Sequence, residues 1–428
     1  MSQTINEWRR GWPALISCMA GIALQTIHIY ATGLFIQPLE AEFGWARAEI
    51  SGALILPSLI AFFLTPFGGR MIDRYGARRV ALPGAIFYCV TIMTLALTTG
   101  SILSWWLLWG LMGLAVSICS PGIWSTGVAS WFDRQRAMAL AIAFCGTGIG
   151  ATVVPLLTNS LIDHYGWRGA FLGLGSIGLV IVIPILFLLF SDGRRLGKTD
   201  AEVAPAIATT TDPVAAPVAV KVNGYTVKEG LRSRHFFRLG IAAFFGTGAI
   251  VGTLVHLVPF LSSQGVDRTT AAWLAGLLGI PSIIGRLSVG YLLDRFSGPL
   301  VGAISISLPI ISVLLLVLAP GYMPLVILAI IILGLSIGGE YDAVIYLSTR
   351  YFGLQNFGAL FGFVAALITL GVGLGPAIGG LVYDMTGSYT LYFSLLMPVW
   401  AISGLMLATL GPNPHADAMH DDQAIATG

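Results

Sequence analysis

Apolar residues run along this chain in long stretches separated by short polar joints. A helix needs about 20 mostly apolar residues to cross a bilayer. Twelve stretches reach that length, at 12–37, 48–71, 78–99, 103–129, 136–160, 168–190, 237–262, 270–292, 299–319, 323–349, 357–382 and 389–410. We number them helices 1 to 12. The first follows MSQTINEWRRG, and its apolar run is too long for a signal-peptide core and has no cleavage-like exit, so it is expected to be retained as a membrane helix. With 56% hydrophobic and 10% charged residues, and a mean hydropathy of +0.86, the chain is excluded from the soluble globular class. The predicted fold class is an all-α membrane protein with twelve transmembrane helices.

Charge sets the expected orientation, because loops facing the cytoplasm retain Lys and Arg. With both termini placed inside, 18 of the 22 basic residues lie on that side, and only Arg47, Arg168 and Arg268 fall outside. We therefore expect both termini to be cytoplasmic, in a bacterial inner (plasma) membrane. The net charge of +2 follows from this topology and indicates no nucleic-acid partner. Cys18, Cys89, Cys119 and Cys145 all fall inside helices at unrelated spacings, as small apolar fillers rather than disulfides or metal ligands. There is no nucleophile and base pair, no metal-spaced cluster and no nucleotide loop. No cofactor, metal or enzymatic activity is expected. The glycine runs GTGIGATVVP (146–155) and GVGLGPAIGG (371–380) read as close-packing surfaces in lipid, with a further use as flexing points.

Residues 192–235 change character, with Ala, Pro, Thr and charge in no periodic order, and read as a cytoplasmic linker disordered in its middle. The expected division is a six-helix bundle at 1–191, the linker at 192–235, a second bundle at 236–411 and a tail at 412–428. The bundles repeat one another. GGRMIDRYGARR (68–79) pairs with VGYLLDRFSG (289–298), WFDRQRAMALAIAF (131–144) with YFGLQNFGALFGF (351–363), and LIDHYGWRGAF (161–171) with LVYDMTGSYTLYF (381–393), all at offsets of 220 to 221. A common offset means a duplicated six-helix unit.

Gly69, Arg70, Asp73, Arg74, Gly76, Arg78 and Arg79 resemble the loop 2 to 3 signature of the major facilitator superfamily, with a weaker copy at Gly290, Asp294 and Arg295. The resemblance covers essentially the whole chain. It implies two pseudo-symmetric six-helix bundles and alternating access. It also implies a latch, formed by Asp73, Arg74, Arg78, Asp294 and Arg295, that holds the bundles together when the transporter faces outward. Within that superfamily, the entries WFDRQRAMAL and YFGLQNFGALFG and the arginine in helix 8 are similar to the monocarboxylate porter and oxalate/formate antiporter group. Ser282 stands where related carriers have an aspartate, and Val364 stands near the position of a helix 11 lysine in oxalate exchangers. A single buried cation suits one carboxylate better than two.

Arg286, in PSIIGRLSVG, has no other charge within seven residues on either side. A charge at the bilayer centre costs about 3 kcal/mol or more, so it faces a cavity or a partner. The rise of a helix places Arg286, Glu340 and Asp342 at similar depth, about 12 to 15 Å from the helix ends at Asp294 and Arg350. Glu340 and Asp342, two positions apart, point in different directions and cannot share one target. Arg286 is the candidate carboxylate-binding residue, and Glu340 or Asp342 its ion-pair partner and proton carrier. Further candidates at the binding site are Gln25 and His28 on helix 1, Trp124 on helix 4, Ser282 on helix 8 and Tyr341 on helix 10. His256 on helix 7 is a candidate outer gate.

These readings converge on secondary transport of a small monocarboxylate anion together with a proton, by rocking of two bundles in the lipid bilayer, with the chain acting as a monomer. The alternatives are proton-driven efflux of drug-like compounds and organic anion exchange without a proton.

Overall fold

The computed structural model describes residues 2–132, 135–191, 224–353 and 355–414, without the side chains of residues 2–6, Pro66, Gly69 and Asp73. Of the linker expected at 192–235, residues 192–223 lie outside this set, and its remainder holds a short helix at Val227–Arg232 and the start of the next at Arg234. Of the tail expected at 412–428, residues 415–428 lie outside it, as do Asp133 and Arg134. Among the described residues the chain is helical throughout, apart from turns and one isolated bridge between Gly224 and Gly353.

Eleven continuous spans are long and apolar enough to cross a membrane. In the first half these are Glu7–Phe43 (helix 1), Arg47–Thr65 (helix 2), Ala77–Leu97 (helix 3), Ile102–Ala129 (helix 4) and Arg136–Leu189. The last of these has 54 residues, or about 80 Å at the helical rise, which is enough for two crossings. It breaks at Gly166, with φ 69° and ψ 175°, a backbone region open essentially to glycine alone. Helices 5 and 6 lie on either side of that break. The second half comprises Arg234–Ser263 (helix 7), Arg268–Arg295 (helix 8), Gly298–Leu318 (helix 9), Met323–Phe352 (helix 10), Phe357–Thr386 (helix 11) and Tyr389–Ala408 (helix 12), giving twelve crossings. Replacing Gly166 by valine is expected to lower stability by about 1–3 kcal/mol, the cost of forcing a side chain into that region. Thermal melting of the purified protein in detergent measures this, and an unchanged midpoint would refute it.

Local chemistry fixes the helix starts. Asp267 caps helix 8 by accepting the Thr270 N–H at 2.8 Å, and this bond holds the exposed Asp267 carboxyl below its ordinary range. Ser297 caps helix 9 and Ser388 caps helix 12 in the same manner. Thr226 and Glu229 form a reciprocal capping box ahead of helix 7.

Helices 1–6 pack as one bundle and helices 7–12 as the other. In the second, helix 7 lies against helices 11 and 12, helix 9 against 10 and 12, and helix 8 against 10. The bundles meet where helix 2 crosses helix 11, helix 5 crosses helix 8 and helix 1 crosses helix 7. The glycine runs supply much of this contact. A Cβ on Gly373 would lie 2.8 Å from Ser58 Oγ, and one on Gly148 would lie 2.9 Å from Ser282 Oγ.

This contact runs from the end of the molecule where helices 2 and 8 begin and helices 5 and 11 end down to mid-depth, at Gly148 and Gly373. At the opposite end Arg74, Asp294 and Arg295 are exposed. Among the described residues no ion pair joins them across the bundles. Arg78 donates to the Phe187 carbonyl at 2.7 Å within its own bundle, and the guanidinium of Arg295 lies 4.4 Å from its neighbour's ring, that of Tyr291. Arg74, Arg78, Asp294 and Arg295 are therefore not paired with one another across the bundles in this state. The Asp73 side chain lies outside the described residues.

Candidate functional site

Helices 8 and 10 touch backbone to backbone. A Cβ on Gly338 would run into the Ser282 carbonyl and lie 2.8 Å from the Arg286 nitrogen, and one on Gly285 would run into the Leu335 carbonyl. One glycine from each helix thus removes the bulk that would separate them. This brings the Arg286 guanidinium onto the Asp342 carboxylate.

Arg286 donates from a single nitrogen, Nη1, to Asp342 Oδ1 at 2.7 Å and Oδ2 at 2.8 Å. Arginine and carboxylate most often pair fork to fork, through two nitrogens. Here Nη2 and Nε have no hydrogen-bond partner among the described residues. The Arg286 side chain is 7% exposed and that of Asp342 28%, so the pair sits at the inner limit of the opening between the bundles. The other bundle contributes the Phe144 ring, centred 5.6 Å from the Arg286 guanidinium carbon, which adds a favourable cation–π field. Tyr30 on helix 1 and Cys145 on helix 5 lie within Coulomb range of Arg286. Tyr341 lies within that range of both Arg286 and Asp342. Helices 1, 5, 8 and 10 therefore converge on one cation.

Glu340 has a different neighbourhood. It is 4% exposed and accepts a hydrogen bond from Thr247 on helix 7 at 2.7 Å. Of the two acids left open by the sequence, Asp342 is the partner of Arg286. Glu340 is turned about 200° away around the helix, into the bundle.

Several predicted site residues stand elsewhere. Trp124 is fully buried, with its ring 5.8 Å from Phe190 and filling the space beside Gly21, so it belongs to the bundle core and not to a cavity wall. His28 Nδ1 lies 2.8 Å from the Gln25 carbonyl and 3.0 Å from the Tyr88 hydroxyl, and Tyr88 also donates to the Gln25 carbonyl. This directs His28 toward helix 3, and no contact joins it or Gln25 to Arg286 among the described residues. Ser282 donates to the Gly279 carbonyl of its own helix at 2.8 Å and is buried against helix 5. His256, the candidate outer gate, lies where helices 7, 11 and 12 meet, fully buried between Tyr389, 3.1 Å from Nδ1, and the Pro376 carbonyl, 2.8 Å from Nε2, and Tyr389 also accepts from Arg47 at the closed end.

Sequence reasoning passed over Tyr30, Phe144 and Thr247. A straight helical wheel puts the polar positions Gly21, Gln25, His28 and Thr32 on one face. Helix 1 loosens at Thr26 and Ala31 while both keep right-handed helical dihedrals, and the wheel gives a face without naming what that face meets. Phe144 ends the run WFDRQRAMALAIAF, whose repeat partner was recognised. Its aromatic ring at mid-depth was the available signal. A separate pocket of about 150 Å³ between helices 7, 11 and 12 is lined by apolar residues such as Phe244, Leu374, Ile378 and Leu395, with no charged group to engage an anion.

Comparison with known proteins places this geometry in a family. The model of the Major Facilitator Superfamily matches residues 16–352 and again 263–426. Rat monocarboxylate transporter 2 is 24% identical over 412 residues, covering 93% of this chain and 82% of that protein. The gallate transporter of Pseudomonas putida is 24% identical over 391 residues, covering 85% of this chain and 87% of that protein. Among solved structures, the nucleoside transporter NupG superposes with a TM-score of 0.72 at 14% identity, covering 94% of this chain and all of that one. A bacterial homologue of the lysosomal transporter Spinster, in an inward-facing and occupied conformation, gives 0.64 at 17% identity, with coverage of 92% and 93%. The chain belongs to the Major Facilitator Superfamily, where it resembles the monocarboxylate group, and it is a membrane transporter of small solutes rather than an enzyme.

Proposed function

We propose that this transporter carries a small anion with one carboxylate, together with a proton, by alternating access. The observation that carries this reading is the one-nitrogen pairing of Arg286 with Asp342. The cation is held in place by an acid on one side while its Nη2 and Nε edge is free to accept a second carboxylate bidentately. A substrate that draws the guanidinium toward itself leaves Asp342 without its counter-ion in an apolar surround, where an acid is cheaper to carry protonated than charged. Anion and proton then cross together with little net charge. With the arginine-rich loops on the cytoplasmic side, as the charge distribution favours, the state described here faces inward. The similarity to monocarboxylate and gallate transporters supports a carboxylate substrate and leaves the acid open between aliphatic and aromatic.

Purified protein in proteoliposomes tests this. An acid-outside gradient is expected to drive accumulation of labelled lactate or an aromatic monocarboxylate, and collapse of the gradient to abolish it. The absence of carboxylate uptake across such a panel would overturn the assignment. Asp342→Asn is expected to lose gradient-driven accumulation while keeping exchange of substrate for substrate. Accumulation retained in Asp342→Asn would move the coupling proton to another group, Glu340 first.

A further inference from the structure

The closed end of the molecule is bridged at two places related by the internal repeat. Arg47 and Arg268 are 221 positions apart, as are Asp163 and Asp384. Arg47, at the start of helix 2, meets Asp384 from the end of helix 11. Arg268, at the start of helix 8, meets Asp163 from the end of helix 5. Each bridge joins one bundle to the other, and the two differ in chemistry for a reason visible in the chain.

Helix 8 is preceded by Asp267, whose carboxylate already occupies that terminus and accepts the Thr270 N–H. Asp163 therefore takes the Arg268 side chain instead, beside a hydrogen bond from Asn159 to Thr269 at 3.3 Å. Helix 2 is preceded by Ala46 at the equivalent position, with no side chain to cap it. No carboxylate of its own stands at that position, and Asp384 from the other bundle takes the first two amides of the helix, with Arg47 N–H to Oδ1 at 3.0 Å and Ala48 N–H to Oδ2 at 2.7 Å. A carboxylate on a helix N-terminus gains from both the amides and the dipole. The Arg47 side chain, 8% exposed, lies with its guanidinium 3.8 Å from the Tyr383 ring centre. It also donates to Glu40 at 2.9 Å and to the Tyr389 hydroxyl at 3.1 Å, and that hydroxyl lies 3.1 Å from His256. Asp384 and Asp163 are both exposed, so the two bridges differ in what each carboxylate holds. Asp384 takes two amides of a helix N-terminus, whereas Asp163 holds one Arg268 side chain that is itself 28% exposed, a kind of pair that contributes little.

We infer that Asp384 and Asp163 are paired but unequal latches of this end. The Asp384 bridge to the helix 2 N-terminus sets the closed state, and the Asp163–Arg268 bridge is a weaker auxiliary. This goes beyond the carboxylate reading and needs no substrate, so it is tested without one.

The experiment uses spin labels at Thr99→Cys and Tyr322→Cys, exposed sites at this end on opposite bundles, with the four native cysteines replaced by alanine. Distances are read by electron spin resonance in lipid nanodiscs. Asp384→Ala is expected to shift the open-to-closed ratio by about tenfold or more toward long distances, from the loss of two charge-assisted hydrogen bonds. Asp163→Ala is expected to shift it several-fold less. Ala46→Asp gives helix 2 the cap that helix 8 already has. It favours folding while placing a second carboxylate beside Asp384 and repelling it, so it too is expected to lengthen the distances. An unchanged distribution in both Ala46→Asp and Asp384→Ala, or an Asp163→Ala shift as large as that of Asp384→Ala, would overturn the inference. Should Asp384→Ala fail to fold, Ala46→Asp alone decides.

Discussion

Arg286→Ala is expected to lower carboxylate uptake by about a hundredfold or more and to destabilise the protein at the same time. The first effect follows from losing two charge-assisted hydrogen bonds to the substrate, each worth about 1.5–3 kcal/mol. The second follows because Asp342 is left as a buried acid without its cation, and removing one partner of a buried pair costs about 3–5 kcal/mol. The double variant Arg286→Ala with Asp342→Asn separates the two. Removing both charges is expected to restore most of the melting temperature and none of the uptake. Arg286→Lys keeps the charge and loses the planar fork, so it is expected to retain binding well below the native level and above that of Arg286→Ala. Full uptake in Arg286→Lys would mean that recognition is not bidentate. Uptake in the double variant would mean that Arg286 is a structural ion-pair partner and nothing more.

Gly338→Ala carries the second large effect, although it adds one methyl group. That methyl would overlap the Ser282 carbonyl and crowd the Arg286 amide, both backbone atoms that have no rotamer to move away. Helices 8 and 10 must then separate along the line that holds Arg286 against Asp342. Overpacking typically costs about 1–3 kcal/mol, and the loss of the pair's geometry adds to it. We expect a clear fall in the melting temperature together with weakened carboxylate binding. Gly358→Ala is the control, because its Cβ would meet nothing within 4 Å, and there alanine is expected to be neutral or mildly stabilising by helix propensity. If the two alanine variants melt alike, the close approach of helices 8 and 10 is not what holds the site.

The sequence carried the membrane class, the span pattern and the duplicated bundle, because each rests on a property summed over many residues. A span needs about 20 apolar positions, and the repeat needs only a common offset, so local exceptions do not erase either signal. Even the closed-end latches left a trace there, in LIDHYGWRGAF and LVYDMTGSYTLYF at the ends of helices 5 and 11. Arg286 was legible for a related reason: a lone charge in a long apolar run must be answered by a partner or a cavity, whatever the packing.

The partner itself was not legible. Glu340 and Asp342 have the same depth and nearly the same composition around them. The choice between them depends on how helix 10 is rotated about its axis against helices 7 and 8. That rotation is set by where Gly338 and Gly285 let two backbones meet, a contact between residues more than 50 positions apart. The same limit displaced Trp124 from a cavity wall to the bundle core and turned His28 to Tyr88, since a helical wheel gives faces without naming neighbours. It also hid Ala46, whose missing cap acquires meaning only once Asp384 of the other bundle stands over it. Sequence alone therefore determined which residues must be buried, charged or repeated, because those are costs each residue bears in any packing. The tertiary structure decided which of them meet, because pairing across helices is fixed by rotation and close approach, and neither is encoded in the periodicity of a single helix.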